Sequence, residues 1–180
     1  METIDKTTVS SEEDVIRLLS ADWVVNDEIQ HTAFMLRTGE SYISVNRPAV
    51  DTFSQDIANF LSNHPNYYVD GSTEIYQCAM LNVGDIKNIN VEYEGKAIDV
   101  MVEVEPRDIH SKSHAGIFTR FHDKNLKNGD VLNYEPMAEE ISADVILLDV
   151  RFHLLKLSKL EKYELKESQF TSNTAQKTNK

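Results

Sequence analysis

The sequence predicts a single α+β domain, mainly an antiparallel sheet with hairpins, packed by two to three helices. Two observations carry this. Ile89, Val91 and Tyr93, then Ile98, Val100, Val102 and Val104, alternate with polar residues around a Glu94-Gly95-Lys96 turn, the period of a strand with one buried face. Phe53, Ile57, Phe60 and Leu61 recur at helical spacing, which puts one apolar stripe toward a core. Helical patterns near both ends with hairpins between them argue for α+β rather than repeated βαβ units.

In chain order, residues 1–9 read as a disordered N-terminus and 10–165 as the domain. Ser10 with Glu13 three residues later reads as a capping box opening a short helix through Leu19. Thr32 to Arg37 and Ser41 to Asn46, joined at Thr38-Gly39, read as a hairpin within 31–47, ended by Arg47-Pro48. Asp51 or Thr52 caps the helix that ends at His64-Pro65-Asn66. Ile75 to Val83 reads as a buried strand, and 89–104 as the second hairpin. His114 to Phe121 is a further strand, and Pro136 suits a first helical position. Over 141–160 two signals compete. Ile141, Val145, Leu148, Phe152 and Leu155 keep a helical stripe, whereas Val150, Phe152 and Leu154 alternate; a helix passing to a strand near Asp149 reconciles them. Residues 166–180 are polar and read as a disordered tail.

The chain has 180 residues, 41% of them hydrophobic and 27% charged, ordinary globular usage that excludes fibres and wholly disordered chains. No stretch approaches the ~18 apolar residues of a membrane span, and the N-terminus lacks the pattern of a signal peptide. Eighteen Lys and Arg against thirty Asp and Glu leave a net charge of −12, which repels phosphate backbones and disfavours nucleic acid. From Arg151 onward seven basic residues face three Glu, a local +4 read as a solvated tail. Cys78 is the only cysteine, so there is no internal disulfide. With no export signal it points to a reducing cytoplasm, as a small buried hydrophobe rather than a nucleophile.

Two clusters could carry chemistry. His31, Arg37, Glu40, Ser41, Ser44 and Arg47 fall in one β-like block, where Arg37 and Arg47 could bind a carboxylate or phosphate bidentately; the competing reading is of strand-end charges paired with carboxylates. Arg107 to Gly116, with Arg120, His122 and Asp123, concentrates three histidines and two aspartates. His110, His114 and His122 could hold a metal or move a proton, but no zincin motif is present and a polar loop with incidental histidines explains the cluster. No metal site and no cofactor is assigned; there is no Gly-rich phosphate loop of either kind. His153 reads as a core or edge histidine and His64 as loop punctuation.

Phe34-Met-Leu-Arg37 with Glu40, Ile43-Ser-Val-Asn-Arg47 and His114-Ala-Gly-Ile117 resemble an arrangement, F-x-L-R, S-V-x-R and H-A-x-I, shared by a set of small bacterial proteins. The resemblance implies a bacterial origin and a common unit for Arg37, Arg47 and His114, and brings no activity with it. His64-Pro65-Asn66 with Gly71 is similar to the segment ahead of the active-site cysteine in ubiquitin-conjugating enzymes. There, however, Cys78 falls too late and the proline-rich lead-in is missing, so the match is taken as coincidence.

Two functional readings follow. One is a soluble cytoplasmic accessory module that binds a protein partner, without membrane or nucleic acid. The other is a small enzyme in which Arg37 and Arg47 hold a nucleotide-like or phosphoester anion while His114, with His31, acts as general acid/base. The second requires Arg37, Arg47 and His114 to line one pocket.

Overall fold

The run Val15-Ile16-Arg17-Leu18-Leu19 is buried on both sides, which makes it a central strand and not the expected helix. Ser10 does open a turn, with Glu13 N donating to Ser10 O at 3.1 Å, but the chain then extends. The computed structural model describes residues 8–69, 74–107 and 111–165. Among them one sheet holds seven strands: β1 (Asp14–Leu18), β2 (Tyr42–Asn46), β3 (Ile75–Asn82), β4 (Val100–Pro106), β5 (His114–Phe121), β6 (Lys124–Asn125) and β7 (Lys159–Glu164). The order across it is β4-β5-β2-β1-β3-β7, with the short β6 folding back beside the end of β5. Every pairing is antiparallel. The α+β, mainly antiparallel architecture is thus the one the sequence predicts.

Among the described residues three α-helices cover both faces: α1 (Phe53–Ser62), α2 (Val83–Lys87) and α3 (Ala143–Leu157). Odd-numbered Ile43, Val45, Ala79, Leu81, Ala115 and Ile117 join the large core with α2 and α3. Even-numbered Ile16, Leu18, Tyr76 and Cys78 pack against Ile57 and Leu61 of α1. A strand's alternation sends neighbouring residues to opposite faces, and here both faces are apolar because both are covered. Helix α1 lies over β1 and β3. It leaves the same face of β2 and β5 open, where Tyr42, Ser44 and Asn46 pair with Phe118, Gly116 and His114.

The hairpin expected at 31–47 is not formed. Its Thr38-Gly39 turn is present, Gly39 taking φ +84°, but His31–Phe34 is a 3₁₀ turn and only β2 is a strand. Burial of Ala33 and Phe34 against the α3 side of the core outweighs their local strand preference. The turn expected at 94–95 joins two-residue strands, Glu92–Tyr93 and Lys96–Ala97; the rest of the alternating run becomes β4 and pairs with β5 instead.

Pro136 lies in a 3₁₀ turn, Glu135–Met137, followed by strand Glu139–Ser142. Helix α3 starts at Ser142, whose Oγ accepts from Asp144 N at 3.3 Å, and runs to Leu157, well past the expected handover at Asp149. The helical stripe noted in the sequence is not the set that α3 buries. Ala143, Ile146, Leu147, Val150 and Leu154 are buried, while Val145, Leu148 and Phe152 are exposed. Val9, expected within a disordered N-terminus, is buried and its N–H donates to Val104 O at 3.0 Å. Residues 1–7, His110 and the tail from 166 lie outside the described residues. No helix among the described residues is long and apolar enough to cross a membrane.

Candidate functional site

A cleft of about 780 Å³ opens on the uncovered face, between α1, β2 and the loop that carries Met35, Arg37 and Glu40. Gly116 shapes its floor. A Cβ there would stand 2.6 Å from Tyr42 Cδ2 and 2.9 Å from Cγ, so only glycine lets the Tyr42 ring lie down on β5. The ring then stacks with Phe118 at 5.1 Å and takes the Arg107 guanidinium at 5.0 Å on its face. Buried Arg120, held by Glu103, Glu105 and Asn125, closes the far side of Phe118.

Arg17 lies at the back of the cleft. Strands β1 and β2 are in register only at Ile16↔Asn46 and diverge beyond it. The Arg17 guanidinium enters that gap: Nη1 donates to Ser44 O at 2.8 Å, Nε donates to Ala33 O, and the group stacks over Trp23 at 5.0 Å. It thereby bonds the Ser44 carbonyl of β2 and the Ala33 carbonyl of the 3₁₀ turn, acceptors that would otherwise need another partner. Burial lowers its pKa to about 10, with Tyr67 and Glu40 opposing the shift and Arg37 adding to it. Arg17 therefore stays charged at neutral pH, in a place that penalises charge.

Arg37 shares the cleft. No carboxylate of the described residues lies within 4.0 Å of the Arg17 or Arg37 guanidinium. The two carboxylates that line the cleft bond elsewhere: Glu40 Oε2 accepts from Arg37 N at 3.0 Å, and Asp56 Oδ2 accepts from Thr52 Oγ1 at 2.8 Å and Ser113 N at 3.1 Å. Two histidines complete the lining. His114 Nδ1 is 2.9 Å from Arg107 O, and His64 Nδ1 is 2.8 Å from Phe60 O. A carbonyl only accepts, so each Nδ1 carries a proton. His64 also stacks flat on Phe60, at 4.1 Å and 9°.

Of the four residues singled out from the sequence, Arg37 and His114 meet in this cleft. Arg47 does not line it; its guanidinium forks onto Glu13, Nε to Oε2 at 3.0 Å and Nη2 to Oε1 at 2.8 Å. His31 lies on the α3 side, Nδ1 3.3 Å from Arg151 Nη1 and its ring 5.5 Å from Phe152. The pocket that the enzyme reading requires, with Arg37, Arg47 and His114 together, is not formed. His122 occupies the turn after β5 at φ +53°, and His153 is a partly exposed α3 residue 3.5 Å from Asp149 rather than a core histidine. No group of three or more His, Cys, Asp or Glu among the described residues could hold a metal ion.

Sequence reasoning missed Arg17, His64, Trp23 and Tyr67 as cleft residues. A single cation inside the apolar run at 15–19 was the available signal for Arg17: in a central strand such a group must find partners within the fold. Comparison with family models, curated proteins and solved structures finds no match.

Proposed function

We propose that this chain is a cytoplasmic accessory protein whose cleft binds a small anion, a carboxylate or phosphate carried on a flat apolar body. The observation that carries the reading is Arg17: a half-buried guanidinium opening on the cleft, bonded to two carbonyls, with Arg37 beside it and no described carboxylate on either. A bound anion would supply the missing countercharge, and a guanidinium fork matches carboxylate or phosphate geometry. Trp23, Phe60 and Tyr67, packed edge to face along the wall, offer apolar surface to the ligand's flat part.

A second reading adds proton transfer. His114 has its tautomer set by the Arg107 carbonyl, the arrangement a general base needs. It retains the anionic substrate of the enzyme reading without Arg47 or His31.

The test is calorimetric titration and thermal shift with inorganic phosphate, a nucleoside monophosphate and an aromatic carboxylate. Wild type would be stabilised by mass action. Arg37→Ala and Arg17→Lys would each weaken binding about ten- to hundredfold, the worth of one or two charge-assisted hydrogen bonds. Absence of binding by all three probes refutes the reading. Turnover of a phosphoester that His114→Gln abolishes while leaving affinity intact would select the second reading.

A further inference from the structure

Helix α3 is apolar on two sides. Its inner face is buried, yet the positions furthest from the core are Val145, Leu148 and Phe152, respectively 46%, 40% and 48% exposed. With half-buried Leu155 they are spaced by three, four and three residues, which is the a/d spacing of a helix that receives another helix. A solvated face has no need of that pattern. The flanking charges are divided along the helix: Asp144 and Asp149 in its first half, Arg151 and Lys156 in its second. The two carboxylates and two cations of the helix itself balance, in a chain of net charge −12 that as a whole repels its own copy; Arg151 also reaches His31, and Asp149 accepts from Glu92 N.

We propose that two copies of the chain pair through the outer face of α3, with the helices antiparallel. A two-fold dimer requires a patch complementary to itself. Antiparallel packing supplies that by setting the acidic half of each helix beside the basic half of the other and by opposing the helix dipoles. A parallel pair would align like charges. With Leu148 beside the partner's Phe152, Val145 comes beside the partner's Leu155, a residue that also packs against its own core. The strip is short, so the dimer is concentration-dependent.

Sedimentation equilibrium of the full chain tests this. The expected average mass rises with concentration from 20.5 kDa toward twice that value. The double variant L148E/F152E, checked for folding by circular dichroism, would dimerise at least about tenfold more weakly. For orientation, Leu148→Cys and Phe152→Cys chains are mixed and oxidised; Cys78, fully buried, does not compete. Cross-links form between the two different chains if the pair is antiparallel, and between like chains if it is parallel. A chain that remains monomeric at several hundred micromolar, a dimer indifferent to L148E/F152E, or like-with-like cross-linking each overturns the proposal. A helix of another protein as the true occupant would appear as the first of these.

Discussion

Arg47 closes on Glu13 with both arms of its guanidinium, joining the end of β2 to the turn that leads into β1. Each side chain keeps only 20% exposure, so the pair is shielded more than a surface ion pair but is not fully desolvated. Arg47→Ala is therefore expected to lower stability by about 1 kcal/mol, a fall in Tm of about 2–4 °C for a chain of this size. Glu13→Ala should cost a similar amount, and the double variant less than the sum. Anion affinity should not move. If Arg47→Ala weakens binding as much as Arg37→Ala does, the cleft has been assigned the wrong arginine.

Gly116 and Tyr42 form a second dependency. A methyl group at 116 meets the Tyr42 ring at 2.6 Å, so Gly116→Ala must displace the ring from β5 and from the Arg107 guanidinium. The expected cost is about 1–3 kcal/mol, measurable by urea unfolding, together with weaker anion binding as the cleft floor shifts. In a Tyr42→Ala background the same change should cost much less, because the obstructing ring is gone. An equal cost in both backgrounds would show that the strain lies in the backbone and not against the ring.

Tyr76 and Tyr163 face each other across β3 and β7, ring centroids 5.6 Å apart. Burial pushes both phenols well above the ordinary 10.0, with nearby Cys78 adding to the shift. An unfolded tyrosine begins to ionise near pH 10 while these two stay protonated. The folded state then holds more protons than the unfolded state, and stability falls as pH rises above 10. Arg17 acts with the opposite sign, since its depressed pKa makes the unfolded state the better proton binder above about pH 10. Two phenols outweigh one guanidinium, so Tm should fall on the alkaline side, with these tyrosines ionising only as the protein unfolds. Tyr76→Phe with Tyr163→Phe should flatten that fall. Tyrosinate absorbance against pH reads both; smooth titration of all seven tyrosines in the folded protein would refute the burial argument.

Much of the architecture is legible in local pattern. Helix α1 follows from the spacing of Phe53, Ile57, Phe60 and Leu61, and β3 and β5 follow from apolar runs bounded by turn residues. The alternation Val100, Val102, Val104 correctly names the buried side of β4, with Met101 57% exposed. Half of the candidate site is also legible, as Arg37 and His114. Arg47 and His31 are not, because a cation in an acidic chain has many possible carboxylates and sequence spacing does not say which is near. Glu13 is thirty-four residues from Arg47 and is its partner only because β1 and β2 are neighbours.

By itself, then, the sequence determined the properties that depend on a few adjacent residues: the α+β class, the helix at 53–62, the turns at Gly39 and Gly95, and a lone cysteine buried as a hydrophobe. Tertiary structure decided whatever required knowing what lies on the other side. Asp14–Leu18 is a strand because its neighbours in the sheet are strands and both its faces are covered. The α3 stripe that faces the core is one of two apolar stripes, chosen by where the sheet lies. Arg17 became the centre of the cleft because two strands diverge beside it. Periodicity records that a residue is apolar or charged, whereas burial, pairing and divergence belong to contacts between segments far apart in the chain.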